Sequence, residues 1–446
     1  MANASVSLRS AAVALGAFGL VVGSVSALAH FRGIPRVPVA AASTGDAPAV
    51  GAVKLAPLTT ASATAAALAP PFAELDLVHE ALDSREVTAP LGKRTAHLTL
   101  EPRLQKSALA LIKQHKLPEA AIVMMDPETG AVLVWASHVD ASEHRQHGSR
   151  YDFAASAAAP SASVFKIVTA AALVEHDGLG PQTRECFARS AEQRILASDL
   201  VDDPLRDKWC MSLATAMGKS ENAVFARLAH RRLDPGALGA MARTLGYGEP
   251  LAFDLPVEPS ELHVPDDSLP FARTAAGFWN TTLSPIHAAE ISAIVARGGT
   301  AIRPFLVRRV TSGSGVGTAD YEAPEPTSHP AIKTETAQAL ATMMEHTVTE
   351  GTSYRAFHDA HRTPFLPVAA AGKTGTLNDP DGQHLYTWFT GFAPAHGTKK
   401  QVVIAVLVVN RPRWHVKANV VAREMLREYF REDGRPIAMT GASPKP

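Results

Sequence analysis

Only two of the 446 residues are cysteines, Cys186 and Cys210, and they lack the CxxC spacing of a zinc or dithiol site. Two readings stay open for them: one disulfide closing the intervening loop, as in an exported protein, or two buried free thiols. Net charge is missing too. Forty-three basic side chains balance 43 acidic ones, so the electrostatic footprint of a nucleic-acid binder or of a protein with acidic partners is absent. No HExxH, P-loop or dinucleotide glycine pattern occurs, and no internal repeat. His358 and His361 stand close together without a nearby third ligand, and a catalytic zinc normally needs three, so neither metal nor cofactor is expected. What the chain does have is apolar content: 46% against 19% charged, enough for a sizeable core. Its length suits two or three average domains, or one large domain with appendages.

The amino-terminal stretch Ser10–Ala29 is uncharged and twenty residues long, the length of a helix that just crosses a bilayer. It ends in Ala27-Leu28-Ala29, a small-x-small pattern that also suits signal-peptide cleavage. Length favours an anchor over a cleaved signal, and either would export the bulk of the chain. Residues 1–36 are therefore read as membrane anchor or signal, and 37–90, rich in Ala, Pro, Thr and Ser, as a low-complexity linker. Residues 91–432 are read as the folded domain and 433–446 as a tail.

Within that domain, Leu104, Ala108, Leu111 and Ile112 recur at helical spacing over Pro102–His115. Two apolar runs flank Asp126-Pro127-Glu128-Thr129-Gly130, whose proline and glycine mark a hairpin turn. From Ser163 to about Thr347 the pattern is mostly helical. Strand-like runs return at AAAGKTGT, YTWFTGFAP and QVVIAVLVVN, and a last amphipathic helix covers about Ala418–Phe430. Two early strands, a helical insertion and three late strands can close into one five-stranded antiparallel sheet flanked by helices. The expected class is α+β with an inserted all-helical subdomain.

Between Phe153 and Val174 the only charged residue is Lys166, set among alanines, Val164, Phe165, Ile167 and Val168. Burial would lower its pKa and make it a base near neutral pH. Ser163, one helical turn earlier, shares its face. Pro160 upstream would open the helix, so that Ser163 falls in a first turn where unpaired N–H groups favour developing negative charge. An isolated SxxK arises often by chance. Here it precedes the chain's single SxN, Ser220-Glu221-Asn222, and its single KTG, Lys373-Thr374-Gly375, at spacings of 57 and 153 residues. Each triplet alone reads as a helix cap or a turn. The ordered three match the set that marks serine β-lactamases and penicillin-binding proteins.

From about Arg94 to Phe430 the chain resembles the transpeptidase domain of penicillin-binding proteins. LTLEPRLQKSAL with its hairpin, Leu283-Ser284-Pro285 and IHAAEISAIVARGG, Val348-Thr349-Glu350-Gly351-Thr352, and Trp388 to Pro394 extend the likeness beyond the three motifs. Ala162 stands where that family commonly has glycine. The resemblance implies a Ser163 acyl-enzyme on D-alanyl-D-alanine peptides, with Lys166 as base and Ser220 as proton relay between the two lysines. It implies that Asn222 holds the substrate amide and that the Ser163 and Thr376 N–H groups form the oxyanion hole. Lys373, Thr374 and Thr376 would bind the terminal carboxylate, and Gly375 would leave room for a substrate strand. Peptidoglycan stem peptides, β-lactams as covalent inhibitors and cell-wall synthesis proteins are the implied partners, with membrane contact through the amino terminus. Carboxypeptidase, endopeptidase or β-lactamase activity is the near alternative, and a non-catalytic β-lactam sensor or cell-wall scaffold the distant one.

Overall fold

The computed structural model describes residues 71–139, 152–188, 194–312, 319–379, 381–397, 400–411 and 414–431. Ser10–Ala29, most of the 37–90 stretch and the 433–446 tail lie outside them. Among the described residues no helix is long and apolar enough to cross a membrane.

Three strands come first, β1 (Ala81–Leu82), β2 (Val87–Leu91) and β3 (Arg94–Leu98), then α1 (Pro102–His115), β4 (Glu119–Met125) and β5 (Val132–His138). A 3₁₀ turn at Ala162–Phe165 runs into α2 (Lys166–Asp177), followed by β6 (Arg184–Phe187), β7 (Trp209–Ser212), α3 (Leu213–Lys219) and α4 (Asn222–Arg232). Next come α5 (Pro235–Thr244), α6 (Ser268–Ala275), α7 (Pro285–Ala296), β8 (Thr300–Ile302), β9 (Val307–Ser312), β10 (Tyr321–Glu322) and β11 (Ser328–Pro330). The chain closes with α8 (Thr334–Thr349), α9 (Tyr354–Phe357), β12 (Ala371–Asn378), β13 (Leu385–Ala393), β14 (Val402–Asn410) and α10 (Ala418–Tyr429).

The expected five-stranded antiparallel sheet forms in the order β12-β13-β14-β4-β5. It is buried on both faces, which explains why QVVIAVLVVN is a continuous apolar run and not an alternating one. Val403, Ala405, Leu407 and Val409 of β14 face the helical side, whereas Val402, Ile404, Val406 and Val408 pack with Leu104, Ala108 and Ile112 of α1 and Val421 and Met425 of α10. Each buried aliphatic side chain contributes about 1.5–3 kcal/mol relative to exposure. All nine residues of β14 are buried, so this one strand's burial is comparable to the net stability of about 5–15 kcal/mol typical of a domain. That makes the sheet a firm platform.

Two features depart from the expectation. A second five-stranded antiparallel sheet, in the order β1-β2-β3-β9-β10, accompanies the first. The linker read over 37–90 also ends early: Phe72, Val87, Ala89 and Leu91 are buried in the main core. The alternation in VTAPL puts those β2 residues on its inner face despite the composition around them.

Cys186 and Cys210 form a disulfide, sitting opposite each other in the β6–β7 hairpin. Arg227 of α4 is 1% exposed and reaches the carboxylates of Glu185, Asp202 and Asp207, tying α4 to this hairpin and the segment before β7.

Candidate active site

Pro160, as expected, precedes the turn that carries the nucleophile candidate, but the turn is 3₁₀ and the α-helix begins only at Lys166. Ala162 adopts φ = 49°, the left-handed region that costs a residue with a Cβ about 1 kcal/mol or more. The neighbours over-determine it. Ser161 Oγ donates to the Thr282 carbonyl at 3.1 Å and meets the Tyr247 hydroxyl at 3.0 Å. Trp388 Nε1 donates to the Pro160 carbonyl at 2.9 Å. Gly277 lies so close beneath that a Cβ there would stand 2.4 Å from the Ala162 carbonyl oxygen. The turn is clamped from several sides, and half-buried Ser163 is presented at a fixed angle.

Lys166 is wholly buried, with its Nζ 2.8 Å from Ser163 Oγ, 2.7 Å from Asn222 Oδ1 and 2.6 Å from the Ala276 carbonyl. Burial drives its pKa down to about 7, only partly offset by the nearby Glu221 carboxylate. A neutral lysine has two N–H donors and one lone pair. The Asn222 and Ala276 carbonyls can only accept, so they take the two donors. The lone pair is left for the Ser163 hydroxyl, the arrangement a general base requires.

Ser220 is the left-handed C-cap that follows α3, at φ = 57°, and Glu221, not Ser220, caps α4 by accepting from the Ala223 N–H. Ser220 Oγ accepts a 2.9 Å bond from Lys373 Nζ, which also donates to the Thr374 carbonyl at 2.7 Å. Lys373 is fully buried, and burial together with the charge of Lys166 holds its pKa well below the ordinary lysine value. The three motifs therefore share one cleft. The bond expected between Lys166 and Ser220 is supplied on Lys166 by Asn222 instead.

β12 pairs only with β13 among the described residues, which leaves its other edge open. Thr374 and Thr376, two apart, project from the same side of the strand, Thr374 nine-tenths covered and Thr376 exposed. Gly375 sits close against its neighbours for a reason the sequence did not suggest. A Cβ there would stand 3.2 Å from Ala162 Cβ and from Trp388, so a side chain would wedge β12 away from the nucleophile turn. His358 bonds through Nδ1 to the Tyr354 carbonyl, and no group of three metal-ligating side chains occurs among the described residues.

A family model of the penicillin binding protein transpeptidase domain matches residues 120–427, a span that holds all three motifs. The chain belongs to this family. The transpeptidase-family chain is 28% identical over 351 residues to the peptidoglycan D,D-transpeptidase PbpA of Mycobacterium tuberculosis, covering 70% of this chain and 66% of that protein. Its identity to the protein of the same name from Mycolicibacterium smegmatis is 26% over 342 residues. It thus spans about 66% of the length of these curated relatives. Among solved structures, the fold is similar to PBPA from M. tuberculosis (TM-score 0.61, 24% identity, 75% of this chain and 82% of that one). It is similar also to the D,D-transpeptidase domain of a peptidoglycan glycosyltransferase from Eggerthella lenta (TM-score 0.60, 24% identity, 75% and 82%).

Three contributors to this transpeptidase-family cleft had no sequence signal strong enough to find them. The Ala276 carbonyl is a main-chain group that every residue carries. Gly277 acts through the side chain it lacks. Phe225, whose ring centroid lies 5.6 Å from Lys166 Nζ, reads in sequence as one more apolar residue of α4.

Proposed function

We propose that this chain is a serine D,D-transpeptidase that cross-links peptidoglycan through a Ser163 acyl-enzyme. The observation that carries the reading is the 2.8 Å approach of a buried Lys166 amine to Ser163 Oγ, with Ser220 and Lys373 beside them. Ser163 Oγ attacks the carbonyl carbon of the penultimate D-alanine as Lys166 accepts its proton. The Ser163 and Thr376 N–H groups hold the oxyanion, and Asn222 the substrate amide. The C–N bond to the terminal D-alanine then breaks as its nitrogen takes the proton that Lys166 accepted, passed on by way of Ser220, which leaves Lys166 neutral again. An acceptor amine attacks the Ser163 ester, forms the new peptide bond and returns the hydroxyl. Lys373, Thr374 and Thr376 hold the donor's carboxylate until that D-alanine departs, without metal or cofactor.

β-Lactams would acylate the same serine; penicillin-binding protein A from M. tuberculosis, a protein of similar fold, forms an acyl-enzyme complex with imipenem. The Cys186–Cys210 disulfide supports an extracytoplasmic location, and Ser10–Ala29 would supply the anchor or signal, joined by a linker over residues 37–70. Cell-wall synthesis proteins would be its partners.

Purified protein incubated with a D-alanyl-D-alanine pentapeptide, with and without an amine acceptor, tests the reading. The expected result is amine-dependent cross-linked product. Release of D-alanine alone would make it a carboxypeptidase. Rapid turnover of a fluorescent penicillin would indicate a β-lactamase, and acylation by penicillin without any turnover of peptide would indicate a sensor.

A further inference from the structure

Thr352 lies outside the three motifs, in the segment that links α8 to α9, yet it bonds to one of them and to the helix that leads into another. Its N–H donates to the Gly218 carbonyl at 3.0 Å, and its Oγ1 lies 3.4 Å from the same oxygen. Gly218 is two residues before Ser220. The Thr352 hydroxyl also meets the Thr374 hydroxyl at 2.6 Å. Two glycines permit this approach: a Cβ on Gly351 would fall 2.0 Å from the Gly218 oxygen, and one on Gly218 2.7 Å from the His346 backbone. Asn419 Nδ2 of α10 reaches the Thr352 carbonyl at 3.5 Å and Ser353 Oγ at 3.2 Å, so the joint is also held from outside.

A hydroxyl donates one hydrogen. With no anion bound, Thr374 can donate to Thr352 and Thr352 to the Gly218 carbonyl. To donate to a carboxylate, Thr374 must turn its hydrogen away, and it then needs a donor behind it. Thr352 is placed to be that donor, because its main-chain N–H keeps the Gly218 carbonyl bonded when the hydroxyl swings over.

We propose that Thr352 is a positioning residue for recognition of the donor's terminal carboxylate, acting through Thr374 by reversal of this hydroxyl pair. The inference rests on the transpeptidase reading of the cleft. Its substrate class is an acyl donor bearing a free carboxylate next to the scissile bond.

The test uses two thioester donors that differ only at that end, one with the free carboxylate and one with the carboxamide. Acylation of wild type, Thr352→Val and Thr352→Ser is followed at saturating and sub-saturating donor. In Thr352→Val, KM for the carboxylate donor is expected to rise about tenfold with kcat little changed, a single charge-assisted hydrogen bond's worth. The carboxamide donor should be unaffected, and Thr352→Ser should restore the wild-type preference. Equal losses on both donors would mean that Thr352 merely holds the fold together, and unchanged kinetics would mean no role. Both results overturn the proposal. If neither donor acylates wild type, the transpeptidase reading itself fails, an outcome distinct from the other two.

Discussion

Lys373 Nζ lies 2.9 Å from Ser220 Oγ, a bond that spans 153 residues of sequence and joins the open-edged strand to the turn between α3 and α4. Ser220→Ala removes one of the two bonds on a fully buried amine. Acylation by a fluorescent penicillin is expected to slow by about 100-fold, the usual scale of a lost proton-transfer group. Unfolding should show a loss of about 1–3 kcal/mol for the unsatisfied nitrogen. An unchanged acylation rate would remove Ser220 from the proton relay.

The Lys166 amine must be neutral to accept the Ser163 proton, and burial sets its pKa at about 7. Acylation should therefore climb with pH through about 7. The stability sign comes from the same shift. Between about 7 and the ordinary lysine value near 10.5, the folded protein binds fewer protons than the unfolded chain, so this group makes stability rise with pH across that window. Rate and denaturant midpoint measured from pH 5 to 9 check both. A rate that falls as pH rises through 7 would contradict the base assignment.

Ala162 holds a left-handed conformation that suits glycine. Ala162→Gly relieves about 1–2 kcal/mol of strain and returns about 0.4–1 kcal/mol through the freer unfolded chain, so a small net stabilisation of about 0.5 kcal/mol is expected. Ala162→Val adds branching at a Cβ already close to Gly375 and should cost more than about 2 kcal/mol and most of the acylation. Calorimetry of the pair, with penicillin labelling, distinguishes a strained turn from an indifferent one.

Arg227→Ala takes the buried counter-charge from Asp207 and one of two arginines from Glu185, which keeps Arg231 at 3.1 Å. The expected loss is about 3 kcal/mol, the lower end for breaking a buried ion cluster, because Asp202 is largely exposed and recovers solvent. α4 begins at Asn222, so acylation should fall with stability and recover at lower temperature. Thermal unfolding measured beside labelling at two temperatures reads the difference.

The parts of this protein legible in sequence were those written locally. Ser163 and Lys166 sit one turn apart, α1 runs over Pro102–His115 as its spacing predicts, and β14 is a plain apolar run. The second sheet escaped because β9 is short, buries only Val307 and Val310, and pairs with β3 more than 200 residues earlier. His97, for example, bonds to Thr311, 214 residues away. The start of the fold escaped because β2 is only five residues long and lies among charged residues such as Asp83, Arg85, Glu86 and Lys93. In the cleft, residue identities announced Ser220 and Lys373, while Ala276, Gly277 and Thr352 contribute a carbonyl, an empty space and a pairwise contact. Such contributions exist only once the chain has folded.

The free edge of β12 carries a hazard along with its use. A strand eight residues long with one edge free is a template on which an extended chain can zip, including another copy of the same protein. Lys373, Thr374, Thr376 and Asn378 make that stretch polar, and the clamped turn beside it leaves little room for a side chain at Gly375. The same polar residues that make the edge usable therefore also make it a poor template for an apolar chain.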